Sequence, residues 1–144
     1  MTKNLTIDQS FKKLITNLNP TDKQLQRIQK TRDSIDAALI NEPRISLNTQ
    51  NQISFLTGSY SRKTIIRPID DIDLYVRINY SKHAKDQSPR SILRLMRSAI
   101  QRRYPNNTKV NADSPCVVVK FLGYKFEIVP AVGYSDNPNL YSIP

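Results

Sequence analysis

Three short features of the sequence have residue types that do chemistry together: Gly58-Ser59, the pair Asp71 and Asp73 flanking Ile72, and Glu127. Side chains two apart on a β-strand share a face, so Asp71 and Asp73 lie on one side and Ile72, Leu74, Val76 and Ile78 on the other. If the apolar side meets helices, both carboxylates project from the open face. Carboxylates this close repel unless a cation lies between them, and their hard oxygens suit Mg²⁺. In Phe126-Glu127-Ile128 the same alternation puts Glu127 on a polar face among apolar neighbours. Three acids on neighbouring strands make a two-metal site for in-line attack on phosphorus. One ion lowers the pKa of the attacking hydroxyl, and the other stabilises a leaving pyrophosphate. Asp71, Asp73 and Glu127 are therefore the expected catalytic acids and metal ligands, holding two Mg²⁺ ions, with Mn²⁺ as a substitute.

Gly58-Ser59 has a complementary task, with eleven residues between Ser59 and Asp71. Glycine lets the backbone approach a phosphate closely, and Ser59 adds a hydroxyl donor. A short helix over 59–66 would aim its first amides at the same anion. Arg62, Lys63 and Arg67 are expected to supply positive charge near a triphosphate.

The elements that must position these residues follow from the apolar spacing. Leu5, Ile7, Phe11, Leu14, Ile15 and Leu18 recur at helical period and stop at Asn19-Pro20. Thr21 with Gln24 reads as a capping box opening a second helix to about Asn41, closed by Glu42-Pro43. Its stripe of Leu25, Ile28, Ile35, Ala38 and Leu39 is thin, so much of this helix is expected to be exposed. Ile53–Leu56 reads as a short strand, and 71–78 as a longer one. A loop covers 79–87, and Ser88-Pro89 opens a helix carrying Ile92, Leu95, Met96, Ala99 and Ile100 inward. Residues 117–122 and 124–129 read as a hairpin turning at Gly123. The order α, α, β, β, α, β, β gives an α+β domain, a mixed sheet with helices packed on one face. The N-terminal helices span about 5–41 and the sheet core about 51–132. Residues 133–144 are turn-rich and offer no closing element, so the chain is expected to be a fragment of a longer protein.

Composition bounds the reading. The chain has 144 residues, 22 Lys+Arg against 12 Asp+Glu, and a net charge of +10, which favours anionic partners. The longest apolar runs, such as Cys116–Val119, are far short of a membrane span. No apolar segment follows Met1, so a cytoplasmic protein without a membrane partner is expected. One cysteine and one histidine, Cys116 and His83, rule out an internal disulfide and a Cys/His metal centre.

The run from Leu56 to Leu74, with Gly58-Ser59, the spacer and Asp71-Ile72-Asp73, resembles the DNA polymerase β-type nucleotidyltransferase superfamily. Gly-Ser-Tyr-x-Arg-x-Thr-x-Ile-Arg-Pro and the later Phe126-Glu127-Ile128-Val129-Pro130-Ala131 are most similar to the bacterial cGAS/DncV-like nucleotidyltransferases. The resemblance covers about residues 45–144, with the two leading helices matching those of the family. It implies a polymerase β-like fold and a Mg²⁺-dependent enzyme that joins nucleoside triphosphates into cyclic di- or oligonucleotide second messengers, often in anti-phage signalling. It implies nucleotide contacts from Gly58, Ser59, Tyr60, Arg62, Lys63 and Thr64, and a regulatory protein or nucleic-acid activator as partner. Lys63 stands where glycine is usual, and Asp70 where serine or glycine often precedes the first acid. The family's C-terminal helical half has no counterpart here.

Other features read as ordinary structure. Asp70 reads as a turn residue, Arg90, Arg94 and Arg97 as a solvated helix face, His83 as surface and Cys116 as core filler without a histidine to activate it. Tyr60 could stack on a base or pack locally. Two competing functions remain: a protein- or RNA-modifying nucleotidyltransferase, and a non-catalytic module binding nucleotide or nucleic acid through its charge. Clustered acids with no metal to gain would destabilise such a module.

Overall fold

The computed structural model describes residues 4–47, 52–79, 88–106, 116–121, 123–134 and 137–142. Capping chemistry sets the helix starts. Thr6 and Gln9 form a capping box ahead of α1 (Ile7–Leu18), and Thr21 and Gln24 form another ahead of α2 (Asp22–Ile40). Ser88 caps α4 (Pro89–Arg103), whose proline occupies the first turn, where no amide partner is needed. Between them lie β1 (Ser54–Leu56), the one-turn α3 (Gly58–Ser61) and β2 (Asp71–Ile78). β3 (Val117–Phe121), β4 (Tyr124–Tyr134) and β5 (Asn137–Ser142) follow.

The five strands form one mixed sheet ordered β1-β2-β4-β3, with β5 also on β4. β2 and β4 are parallel, in a register that sets Ile72 beside Phe126 and Asp73 beside Glu127. β1 is antiparallel to β2, and β3 and β5 are antiparallel to β4. The strict alternation of β2 buries Ile72, Leu74, Val76 and Ile78 completely. They join Phe126, Ile128, Val117 and Val119 in a single cluster with Ile28, Ile35 and Leu39 of α2 and Ile92, Met96, Ala99 and Ile100 of α4. Each of these side chains except Ala99 contributes about 1.5–3 kcal/mol of burial. The α+β class with helices on one sheet face is as the pattern required.

α2 is as its thin stripe required, burying only Ile28, Ile35 and Leu39; α1, the more strongly patterned helix, buries none, and Phe11 stays 60% exposed. Two expectations are corrected. On α4, Leu93 is buried and Leu95 only half-buried, because the stripe is rotated slightly from the one read in sequence. The C-terminal stretch is not merely turns: β4 runs on through Pro130 to Tyr134, and β5 returns along it. His83 lies outside the described residues.

Candidate active site

The open face of the sheet carries the acids. Asp71 and Asp73 alternate with the buried residues of β2, and Glu127 alternates with Phe126 and Ile128 of β4. The parallel register sets Asp73 directly beside Glu127, and Asp71 beside Lys125. The Lys125 amide donates to the Asp70 carbonyl at 2.8 Å, which ties the start of both strands together. The three acids expected to act together thus share one face on adjacent strands.

Lys125, which sequence reasoning missed, stands among them. Its Nζ lies 3.3 Å from Asp71 Oδ1 and 3.4 Å from Glu127 Oε1. The hydrogen bond to Asp71 leads, with that acid's charge and then Glu127, in raising the ammonium above its ordinary 10.5, against a smaller opposing effect of desolvation. The signal was in the sequence: Lys125 is two residues before Glu127, hence on the same face.

Gly58 joins this group by position. β1 delivers it: the Thr57 amide donates to the Asp73 carbonyl at 2.9 Å, and Gly58 follows at φ +63°. A Cβ built on Gly58 would run into the Asp73 carboxylate. The glycine was expected to make room for a phosphate, and here that room lies against a carboxylate. β1 is itself held to α2 by Arg32, which donates to Ser54 Oγ at 3.0 Å and to the Ser54 carbonyl at 2.7 Å. The buried Ser54 hydroxyl donates onward to Asp36 at 2.9 Å.

The helix expected over 59–66 is a single turn ending at Ser61. The Lys63 amide donates to Tyr60 O and the Thr64 amide to Ser59 O, the paired bonds of a Schellman C-cap, with Lys63 at φ +56°. Glycine would adopt this left-handed conformation without the Cβ penalty that Lys63 carries. The helix stops early because its orphan carbonyls are satisfied by this reversal. Ser59 is half-buried at the first turn, while Arg62, Lys63 and Thr64 are exposed. The Thr64 hydroxyl donates back to Ser59 O. Tyr60 packs against the core and accepts a hydrogen bond from Gln29 on α2. Arg67 is placed elsewhere than expected: its amide donates to Leu18 O and its guanidinium to Thr16 O, so it serves the end of α1.

Among the described residues, no three His, Cys, Asp or Glu side chains converge closely enough to hold a metal ion as they stand. The donor set nonetheless fits one. Carboxylate oxygens from two strands already meet at a single cationic centre, the Lys125 ammonium, and carboxylates are the ligands Mg²⁺ prefers. Of the features read as ordinary structure, Arg90, Arg94, Arg97 and Asp70 are exposed as expected, whereas Cys116, expected in the core, is only half-buried beside β3.

Comparison with known proteins gives the family. The model of the Second Messenger Oligonucleotide or Dinucleotide Synthetase domain matches residues 5–144. No curated protein matches. Among solved structures, Vibrio cholerae DncV cyclic AMP-GMP synthase, with a linear intermediate, is 14% identical at a TM-score of 0.63, over 86% of this chain and 49% of that one. Bradyrhizobium diazoefficiens CdnG, in complex with GTP, is 15% identical at 0.63, over 89% and 40%. E. coli MS115-1 CdnC, in complex with HORMA-deltaN, is 24% identical at 0.61, over 89% and 41%. The chain therefore spans two-fifths to half the length of these structures. Acids on adjacent strands, a Gly-Ser turn against them and a family match over nearly the whole chain lead to one assignment: the chain belongs to the Second Messenger Oligonucleotide or Dinucleotide Synthetase domain family, with the fold of the bacterial cGAS/DncV-like nucleotidyltransferases.

Proposed function

We propose that this chain is the catalytic part of a Mg²⁺-dependent nucleotidyltransferase that joins nucleoside triphosphates into a cyclic di- or oligonucleotide second messenger, in bacterial anti-phage signalling. The observation that carries the reading is the register of β2 on β4, which sets Asp73 beside Glu127 with Asp71 on the same face, next to Gly58-Ser59. Asp71, Asp73 and Glu127 would hold the metal, which when bound activates the attacking hydroxyl and neutralises the departing pyrophosphate. The chain's own part is positioning. Gly58 lies against Asp73 and Ser59 follows it in the one-turn α3, and Arg62 and Lys63 offer exposed cations at its end. A solved relative in complex with GTP and one that is a cyclic AMP-GMP synthase support nucleoside triphosphates as substrates. A regulatory protein partner is supported by the CdnC complex with HORMA-deltaN.

The test uses the full-length protein with all four nucleoside triphosphates and Mg²⁺, its products identified by mass spectrometry. Asp71→Asn and Asp73→Asn are expected to lower product formation by at least about 100-fold, roughly 2.7 kcal/mol or more of transition-state stabilisation, with far-UV circular dichroism unchanged. Full activity in either variant overturns the proposal.

A further inference from the structure

An acid cluster built to hold divalent cations has a problem before they arrive: its carboxylates repel one another across two strands. Lys125 answers it. Its ammonium is shared between Asp71 and Glu127 at 3.3 and 3.4 Å, longer than the roughly 2.7–2.9 Å of a tight charge-assisted pair, so it is locked to neither. The side chains of all three are a third to a half exposed, and ion pairs in such settings are weak. On the other side, β3 places Lys120 directly opposite Lys125, and like charges facing each other across strands repel. Lys120 therefore offers the Lys125 ammonium no favourable partner on that side.

The oxygens that Lys125 occupies are those a metal would need. Its backbone is fixed by the pairing with Asp71 and by the bond to the Asp70 carbonyl, so vacating the site takes only a side-chain rotation. We propose that Lys125 is a tethered counter-cation, a positioning residue that holds Asp71 and Glu127 together in the metal-free protein and gives way when a divalent cation binds. This rests on the metal-site reading above and adds to it: the affinity for metal is held down by a competitor carried on the same strand as Glu127.

The experiment measures Mn²⁺ binding to the full-length protein from the loss of the free-ion electron paramagnetic resonance signal, together with thermal unfolding in chelator. Lys125→Met is expected to bind Mn²⁺ about tenfold more tightly, the size expected when two partly exposed ion pairs cease to compete. Its melting temperature is expected to fall in chelator and to recover with Mn²⁺, whereas Lys125→Arg keeps wild-type behaviour in both. In the wild-type protein, which needs no variant to fold, reductive methylation of Lys125 read by mass spectrometry is expected to speed up several-fold when Mn²⁺ is added. Equal or weaker Mn²⁺ binding by Lys125→Met, or unchanged methylation of Lys125 while Asp73→Asn still weakens Mn²⁺ binding, overturns the role of Lys125 and leaves the metal site standing. No Mn²⁺ binding by wild type or Lys125→Met overturns both.

Discussion

Gly58 and Lys63 both have positive φ, and they call for opposite substitutions. At Gly58 an added methyl would meet the Asp73 carboxylate as well as a disfavoured backbone. Gly58→Ala is expected to cost about 1–2 kcal/mol for the left-handed conformation alone, and to displace the acid. Urea unfolding and product assays on the same variant check both effects. Lys63 sits at the C′ position of a Schellman cap with φ +56°, where a side chain gains nothing from its backbone. Lys63→Gly is expected to raise stability by about 1 kcal/mol, read from the urea midpoint, because glycine adopts this conformation without the Cβ clash. If the lysine also serves the triphosphate, the same variant raises KM for nucleotide.

At the scale of elements, α2 and β1 are coupled through Arg32, Ser54 and Asp36, and that coupling has a pH signature. Burial raises the Asp36 carboxyl above its ordinary 3.8, against the lowering effect of the Ser54 hydroxyl and Arg32. A raised acid binds more protons folded than unfolded, so its contribution makes stability fall as pH rises from about 4 through its folded pKa. Asp36→Asn is expected to flatten that part of the profile, measured as unfolding free energy against pH. Pattern reading found these elements unevenly. β2 was fully legible because its alternation is strict and its acids break no rule. The buried stripe of α2 was legible too, since Ile28, Ile35 and Leu39 fall within the five apolar residues that its spacing picks out. β4 was cut short at Pro130, a residue that disfavours central strands, and Asn137-Pro138-Asn139 reads as a turn though it lies in β5. The three acids were legible from alternation alone, whereas the placement of Arg67 on α1 and of Lys125 between acids depends on contacts between elements.

For the whole molecule, the uncovered surface is concentrated on α1. Ile7, Phe11, Leu14 and Ile15 are all more than half exposed, while the buried core lies between the sheet and α2 and α4. In this chain Phe11→Ser is expected to change unfolding free energy by less than about 0.5 kcal/mol, whereas Ile35→Ala costs about 2–5 kcal/mol. Chemical denaturation of both variants separates them cleanly. The parallel pairing at the centre of the sheet has a consequence for how the site comes into being. About fifty residues separate Asp73 from Glu127, its neighbour across the β2–β4 register. The β3–β4 pairing closes locally around Gly123, and β1–β2 is also close in sequence, but bringing β4 alongside β2 requires closing a loop that contains all of α4. The contact that assembles the acids is thus the least local of the sheet's pairings, and a chain emerging from the ribosome carries Asp71 and Asp73 long before it has a strand to set Glu127 beside them.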